Sequence, residues 1–583
     1  MIKHIQAHWR LCAIAVILSL GLLAFHYAIG TPRGASFDYN LSWYEAFRSA
    51  FWRGDLYPRF APELWYGNGG LDFLFYGPLP FWFATLVGEI SCSACTTSQA
   101  FSVSGAWMLI LSGITFFIFA RRFFEPAWAG FGAVLYVLLP FHYLINWYIG
   151  QTIGALMALA ILPVLALAVS KLIEDRKGGI LFALSFAALA LSHLPTTLIV
   201  LHLLIVFVVC AAFQQEQDWQ KRFAVILRFA PWGLLGVGLS AFYWLPAIAL
   251  LDSVSSDKLY SSYYDSTRWL YLDGQPENDP TKTLKFKFVL FSVAALALSA
   301  GYLQRQAKDR SVLWLWIVVP SVFAVFLMTI ISYPVWQFWI LNKIQFPDRA
   351  LVVTDLSIAL ASIVILKGAL AQHSGALIQR TKMIAAIAGS ALLLAFLHPI
   401  NQSAQIIEKG WDNTDAFLPV APPEYVPPPF LELAFDRFRS RDTSHLSNAD
   451  SFNVFFDEMK AGYAAAHQAL QDDAPGAVLT PHINDRLTLQ IDLASAASVR
   501  VPIPSWKYWR ARTSDGIEIS LEQDAALGVM RLPLPAGQTE VEIYLIETPP
   551  QRLGSAISLL ALFSLLLIVA AFRFRNGTPV KSL

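Results

Sequence analysis

The chain has 583 residues, of which 56% are hydrophobic and only 14% charged, with a mean hydropathy of +0.51. Soluble domains carry about 25% charged residues, so the composition excludes an ordinary soluble enzyme and points to an integral membrane protein. Lys and Arg (42) nearly cancel Asp and Glu (41), so no net field favours nucleic acid or another polyanion.

In chain order, Lys3 and Arg10 precede an apolar run at 11–29, and SFDYN after it is not a small-residue cleavage site. A retained first span is therefore expected rather than a signal peptide. Further windows long enough to cross ~30 Å of hydrocarbon lie at 101–120, 128–147, 152–171, 179–193, 196–213, 225–250, 286–303, 311–331, 350–368, 382–398 and 553–572. The stretch 73–90 (FLFYGPLPFWFATLVGEI) is ambiguous, with two prolines and two glycines. If it does not span, Arg121–Arg122, Lys171/Arg176/Lys177, Lys221/Arg222, Arg305/Lys308/Arg310, Lys367/Arg380/Lys382 and Arg573/Arg575/Lys581 all fall on the side of Lys3 and Arg10. The positive-inside rule therefore makes 73–90 a juxtamembrane or re-entrant segment. It leaves about twelve spans, both termini cytoplasmic and short basic cytoplasmic loops, in a plasma (inner) membrane.

The extracytoplasmic side then receives loop 30–100, loops 252–284 and 332–349, and a soluble block at 399–551. Within loop 30–100, NLSWYEAFRSAFWR (40–53) sets Leu41, Tyr44, Phe47 and Phe51 on one helical face. A helix along the membrane surface is expected, with Asp38 just before it and Gly54 ending it. Cys92 and Cys95 form a CxxC with no nearby His or second Cys pair for zinc, so a local disulfide or no bond at all is expected. Cys12 and Cys210 lie in apolar runs.

The soluble block opens Pro-rich (APPEYVPPPF), turns helix-like, and from 476 alternates in LTLQIDL, SVRVPIP, IEISLE and VEIYLIE, the pattern of a small β-sandwich. The expected organisation is a transmembrane domain at 1–398, an extracytoplasmic α+β or β-sandwich domain at 399–551, and a final transmembrane helix with its cytoplasmic tail at 552–583. No nucleophile–His–acid set, zinc spacing or phosphate loop occurs in the soluble block, which suits shaping an acceptor entrance or binding glycan.

Several segments together resemble a known family. They are the Asp after span one, the surface helix, GDLYP (54–58), YGPLPFW (76–82), ALSHLPTTL (190–198), GLSAFYWLPAI (238–248), IQFPDRALV (344–352), PSWKYW (504–509) and the junction PAGQTEVEIYLIETPPQRLGSAISL (535–559). This pattern is similar to the GT-C superfamily of polytopic glycosyltransferases, and to the bacterial membrane proteins labelled 6-pyruvoyl-tetrahydropterin synthase-related. Relatives often carry an Arg and a Glu near the fourth span, where this chain reads YIGQTIGALMA (148–158). The resemblance implies transfer of a sugar from a polyprenyl phosphate to a glycan, lipid or protein acceptor on the extracytoplasmic face.

On that basis Asp38 is the expected catalytic base, a role worth about 10²–10⁴ in rate, or else a helix cap. Arg349, in QFPDR, is expected to grip phosphate oxygens in pairs, with Arg59 as a second phosphate ligand; snorkelling at the interface is the alternative for Arg349. Asp55 is a second carboxylate, either at the site with a divalent cation (Mg or Mn) or simply turn-forming, though two oxygens are a poor metal set. Asp355 either lines a cavity or pairs with a cation such as Arg349. His193 either bonds sugar or phosphate or satisfies its own turn, and His202 is expected against a polar partner. Tyr76, Trp82, Trp336 and Trp339 either stack on a sugar or prenyl tail or form an interface belt. A lipid-linked glycan transporter or flippase, and a non-catalytic envelope assembly protein, are the alternative functions.

Overall fold

The computed structural model describes residues 9–34, 36–260, 265–272, 293–299, 312–338, 340–370, 411–412, 425, 427, 448–482 and 485–577. The expected span at 382–398, Trp339 and most of the expected span at 286–303 lie outside them.

Among the described residues, seven helices are long and apolar enough to cross a membrane by length and composition, and three shorter apolar helices accompany them. In chain order the main helices are α1 (Trp9–Ile29), α2 (Phe37–Trp52), α3 (Pro78–Ser91), α4 (Thr97–Ala120), α5 (Pro126–Leu138), α6 (Ile153–Glu174), α7 (Gly179–Ser192) and α8 (Leu194–Gln215). They continue as α9 (Trp219–Leu227), α10 (Ala230–Leu239), α11 (Ala241–Ala249), α12 (Val312–Met328), α13 (Leu351–Leu370), α14 (Asn448–Asp473) and α15 (Pro549–Gly577). A π-helix, Pro140–Ile149, joins α5 to α6. The chain is a polytopic helical membrane protein with a C-terminal sheet domain. A count of twelve spans is not reached by these residues.

Helix α6 is buried along nearly its whole length and packs on α4 and α7, so it forms the centre of the bundle. The window at 225–250 is not one straight helix: Trp219–Leu239 makes a span, and α11 starts anew after Ser240. α11 packs on α15, and Tyr243 donates from its hydroxyl to the Phe75 carbonyl at 2.9 Å. Segment 73–90 yields the end of a single turn, Asp72–Phe75, and the 14-residue α3. At 1.5 Å per residue α3 is about 21 Å long.

Helix α2 is more deeply embedded than a surface helix. Leu41, Tyr44 and Phe47 are buried, and so are Trp43, Ala46 and Ala50 on other sides, because α3 and α4 both pack on it. Its charges are used locally: Arg48 pairs with Glu45 at 3.0 Å and Glu89 at 3.6 Å, and Glu45 accepts from the Thr97 hydroxyl. Past α3, Cys92 and Cys95 are joined as a disulfide.

Antiparallel strands make two sheets. One is five-stranded, in the order β3 (Val478–His482), β4 (Arg486–Leu493), β10 (Gly537–Leu545), β6 (Trp509–Thr513), β7 (Glu518–Ile519). The other has the order β5 (Ala497–Pro504), β9 (Val529–Leu534), β8 (Glu522–Gln523). Alternation sends Leu487, Leu489, Ile491, Val541 and Ile543 from the first sheet, and Val499, Val501, Met530 and Leu532 from the second, into one core. A two-residue pair, β1 (Thr31–Pro32) with β2 (Trp411–Asp412), ties the first loop to the start of the soluble block. Helix α14 lies between the sandwich and the first loop, clamped at its end by the Asp473–Arg500 pair at 2.7 Å.

Candidate functional site

Asp38 is the second residue of α2. Ser36 occupies the N-cap position, so Asp38 stands in the first turn rather than capping the helix. A carboxylate there is favoured by the helix dipole, and this one is exposed. Its charge is felt by Tyr66, whose phenol is raised above its ordinary range by burial and by Asp457 and Asp38. Tyr66 is held in place at a conformational cost. Trp65 and Tyr66 both have left-handed backbones, with φ of 55° and 56°, which for non-glycine residues costs about 1–3 kcal/mol each. The buried Trp65 ring packs on Tyr463 of α14 at 5.6 Å, and Asn68 Nδ2 donates to the Trp65 carbonyl at 3.0 Å.

Arg349 lies in the turn Pro347–Ala350 that leads into α13. Its guanidinium donates to Gln345 Oε1 at 2.6 Å and lies over Phe346. Among the described residues no carboxylate oxygen comes within 4 Å of it. Two other predicted residues sense its charge. Burial lifts the Tyr76 hydroxyl to about 12 while Arg349 pulls against that rise. Burial and Arg349 together push His193 well below its usual value, so its ring is neutral.

These groups meet where three chain segments converge. Tyr76 follows the Asp72–Phe75 turn, and its ring packs at 4.6 Å on Trp43, whose Nε1 donates to Asp72 Oδ1 at 3.1 Å. His193 joins α7 to α8 and shares a 2.8 Å hydrogen bond between Nδ1 and Thr196 Oγ1. Gly154, in the first turn of α6, is pressed between them. A β-carbon there would stand 2.9 Å from the Ser192 carbonyl, 3.2 Å from His193 Cδ2 and 3.4 Å from Tyr76 Oη. Helices α6 and α8, each of 22 residues, therefore both begin beside Tyr76 and His193. Helix N-termini attract anions. With a phenol, a neutral imidazole and a guanidinium that feels Asp348 but has no carboxylate oxygen within 4 Å among the described residues, this cluster can receive a phosphate-like group.

The other predicted residues lie elsewhere. Arg59 is committed to the sandwich domain: its side chain binds Asp485 Oδ2 at 2.7–2.8 Å, while the amides of Arg59 and Phe60 donate to Asp485 Oδ1. Its charge is thus met by Asp485, in a contact that joins the first loop to the sandwich. Asp55 Oδ1 accepts from the Tyr57 amide two residues on, the turn-forming alternative. Asp355 is fully buried in α13, and neither carboxylate oxygen has a hydrogen-bond partner among the described residues. Among the described residues it pairs with no cation, Arg349 included. His202 bonds the Leu198 carbonyl. Trp82 braces the loop, donating to Leu56 O at 2.6 Å, and Trp336 is buried with Nε1 bonded to Leu327 O and Ser332 Oγ. Among the described residues no group of three or more His, Cys, Asp or Glu gathers as a metal set, so the divalent cation considered for Asp55 finds no donor set there.

Sequence reasoning missed Tyr425, which stacks on Phe75 at 5.7 Å and also feels Arg349, as well as Tyr66 and Gly154. Tyr425 stands alone among prolines in PPEYVPP, and Gly154 stands at the start of an apolar helix; both are local signals that an aromatic anchor and a close approach would leave.

No family model matches the chain. An uncharacterized protein of Lactococcus lactis subsp. cremoris is 26% identical over 267 residues, which cover 44% of this chain and 42% of that protein. The chain is also similar to several solved structures. The Archaeoglobus fulgidus oligosaccharyltransferase in its apo form matches 75% of this chain at 14% identity with a TM-score of 0.43. Mycobacterial arabinofuranosyltransferase AftD matches 92% at 13% identity and 0.42, and ArnT from Cupriavidus metallidurans bound to undecaprenyl phosphate matches 80% at 11% and 0.36. The match spans 59% of the archaeal enzyme, 40% of AftD and 82% of ArnT.

Proposed function

We propose that the protein transfers a sugar from a polyprenyl phosphate to an envelope glycan, lipid or protein acceptor on the extracytoplasmic side of the plasma membrane. The observation that carries this reading is the cluster of Arg349, Tyr76 and His193, taken as an anion pocket. Arg349 has no carboxylate oxygen within 4 Å among the described residues, its charge acts on Tyr76 and His193, and two long helices begin beside those two. The family resemblance of the surrounding motifs supports it.

In this reading Asp38 accepts the proton of the acceptor hydroxyl. The freed oxygen pair attacks the anomeric carbon, the bond from that carbon to the phosphate oxygen breaks, and the departing phosphate keeps the electrons. Arg349 takes two of its oxygens as a planar fork, and Tyr76 donates its hydroxyl. A neutral His193 can donate or accept without adding charge. The charge shift is met by groups already in place, the arrangement that lowers a barrier most. A single displacement inverts the anomeric configuration. The sandwich and α14, resting on the first loop near Asp38, border the acceptor side.

The test compares cells carrying wild type, Asp38→Asn and Arg349→Ala at equal abundance. Both variants are expected to lose the envelope product and to accumulate the lipid-linked sugar. Unchanged profiles in both would overturn the assignment.

A further inference from the structure

Between the π-helix and α6 lies a turn whose geometry bears on both halves of the site. Gln151 in this turn is fully buried and has φ of +50°, a region that non-glycine residues enter only when their surroundings force them. Here the surroundings do. The Thr152 amide donates to the Asn146 carbonyl at 2.8 Å, Thr152 Oγ1 donates to Asn146 Oδ1 at 2.6 Å, and Asn146 Nδ2 donates to the Phe141 carbonyl at 2.6 Å.

The braced turn presents one group outward. Gln151 Nε2 donates at 2.5 Å to the carbonyl of Pro32, 119 residues earlier. Two residues beyond Pro32, Gly34 is pressed onto the same turn: a β-carbon there would stand 2.6 Å from the Ile149 carbonyl oxygen and 2.8 Å from that of Tyr148. Residues 32–34 are thus clamped, and Asp38 follows four residues later. On the other side of the turn α6 begins, with Gly154 against Tyr76 and His193. The proposed base and the anion pocket are therefore both referenced to one turn.

We propose that Gln151 is a positioning residue whose amide holds the Asp38-bearing segment at working distance from the anion pocket. This rests on the glycosyl-transfer reading. The Gln151 Oε1 is buried with no hydrogen-bond partner among the described residues, so the donor half of the amide is the half with a structural task. Methionine at 151 keeps about the same side-chain length and removes the donor, since a thioether has no N–H or O–H to give. Glycine at 151 relaxes the backbone and also removes the donor.

Full-length Gln151→Met and Gln151→Gly are compared with wild type, Asp38→Asn and Arg349→Ala in two assays: product in cells, and binding of undecaprenyl phosphate to purified protein. Misplacing a reacting group by about 1 Å costs on the order of 10²-fold in rate. Both Gln151 variants should lose about that much product yet bind undecaprenyl phosphate within about twofold of wild type, whereas Arg349→Ala loses binding. Adding Gln151→Met to Asp38→Asn should lower product no further. Wild-type product in either Gln151 variant, or loss of undecaprenyl phosphate binding as large as in Arg349→Ala, overturns the proposal. If one variant does not accumulate, the other decides. Full product in Asp38→Asn would instead bring down the glycosyl-transfer reading itself, so the two failures are distinct.

Discussion

At the scale of single residues, unusual local context singled out the charges proposed for the site and gave no sign of the partners of the others. Arg349 stands in a Pro-Asp-Arg turn at the mouth of an apolar helix, and Asp38 stands just past one; both contexts were legible. Arg59, in YPRF, reads the same way, yet its partner Asp485 is 426 residues away, a pairing no local pattern announces. His193 yields a pH prediction with a defined sign. Its folded pKa is depressed by burial and by Arg349, so between that value and its unfolded ~6.5 the unfolded chain binds the extra proton. Stability is then complete above pH ~6.5 and falls as pH drops below it. His467 on α14 shares this sign through its burial. The depressed carboxylates Asp473, Asp524 and Glu542 lose their contributions only lower, below the usual carboxylate range. Lowering the pH from 7.5 to 5 should therefore reduce the thermal midpoint of purified wild type more than that of His193→Gln. Equal shifts would mean that the His193 ring takes up its proton freely in the folded protein.

At the scale of elements, apolar length read helices well and joints poorly. The window at 225–250 looks continuous, but helix propensity carries no mark of the restart at Ser240, which depends on α11 turning to meet α15 and Phe75. The π-helix is equally silent, because its extra residue per turn is fixed by neighbours and not by composition. The face assigned to α2 was right for Leu41, Tyr44 and Phe47 and incomplete for Trp43, since amphipathic patterning assumes one covered side. The two-sheet core followed from strict alternation, which leaves little freedom once one face is buried. What joins that core to the first loop is the Arg59–Asp485 contact. Asp485 is 2% exposed in its side chain against 28% for Arg59, so removing Arg59 leaves a buried carboxylate with two backbone donors among the described residues. Arg59→Ala should destabilise the protein by about 1–3 kcal/mol. Arg59→Ala/Asp485→Ala should cost less than the two single changes summed, as thermal unfolding of all four proteins would register. Strict additivity would mean that the two groups do not interact in solution.

For the whole molecule, the proposed function depends on which side of the membrane holds Asp38, Arg349 and the sandwich. The structure puts these on one end of the bundle. Pro32 is bonded to Gln151, Gly154 abuts Tyr76 and His193, and α14 rests on the Trp65–Tyr66 turn. Which compartment that end faces is a matter of charge: Arg121, Arg122, Lys171, Arg176, Lys177, Lys221 and Arg222 all cluster at the opposite ends of the helices in sequence. Basic loops stay cytoplasmic because translocating them against the membrane potential is unfavourable. A lipid-linked donor is reached only if the pocket opens toward the leaflet that presents it, so sidedness decides whether the chemistry is possible. Single cysteines at Ser514, in the sandwich, and at Arg176, in the α6–α7 connection, report on it directly in a background lacking the native cysteines. A membrane-impermeant maleimide should label Ser514→Cys in intact cells and Arg176→Cys only after lysis. The reverse pattern would place the anion pocket in the cytoplasm, where a sugar transfer on the outer face cannot occur.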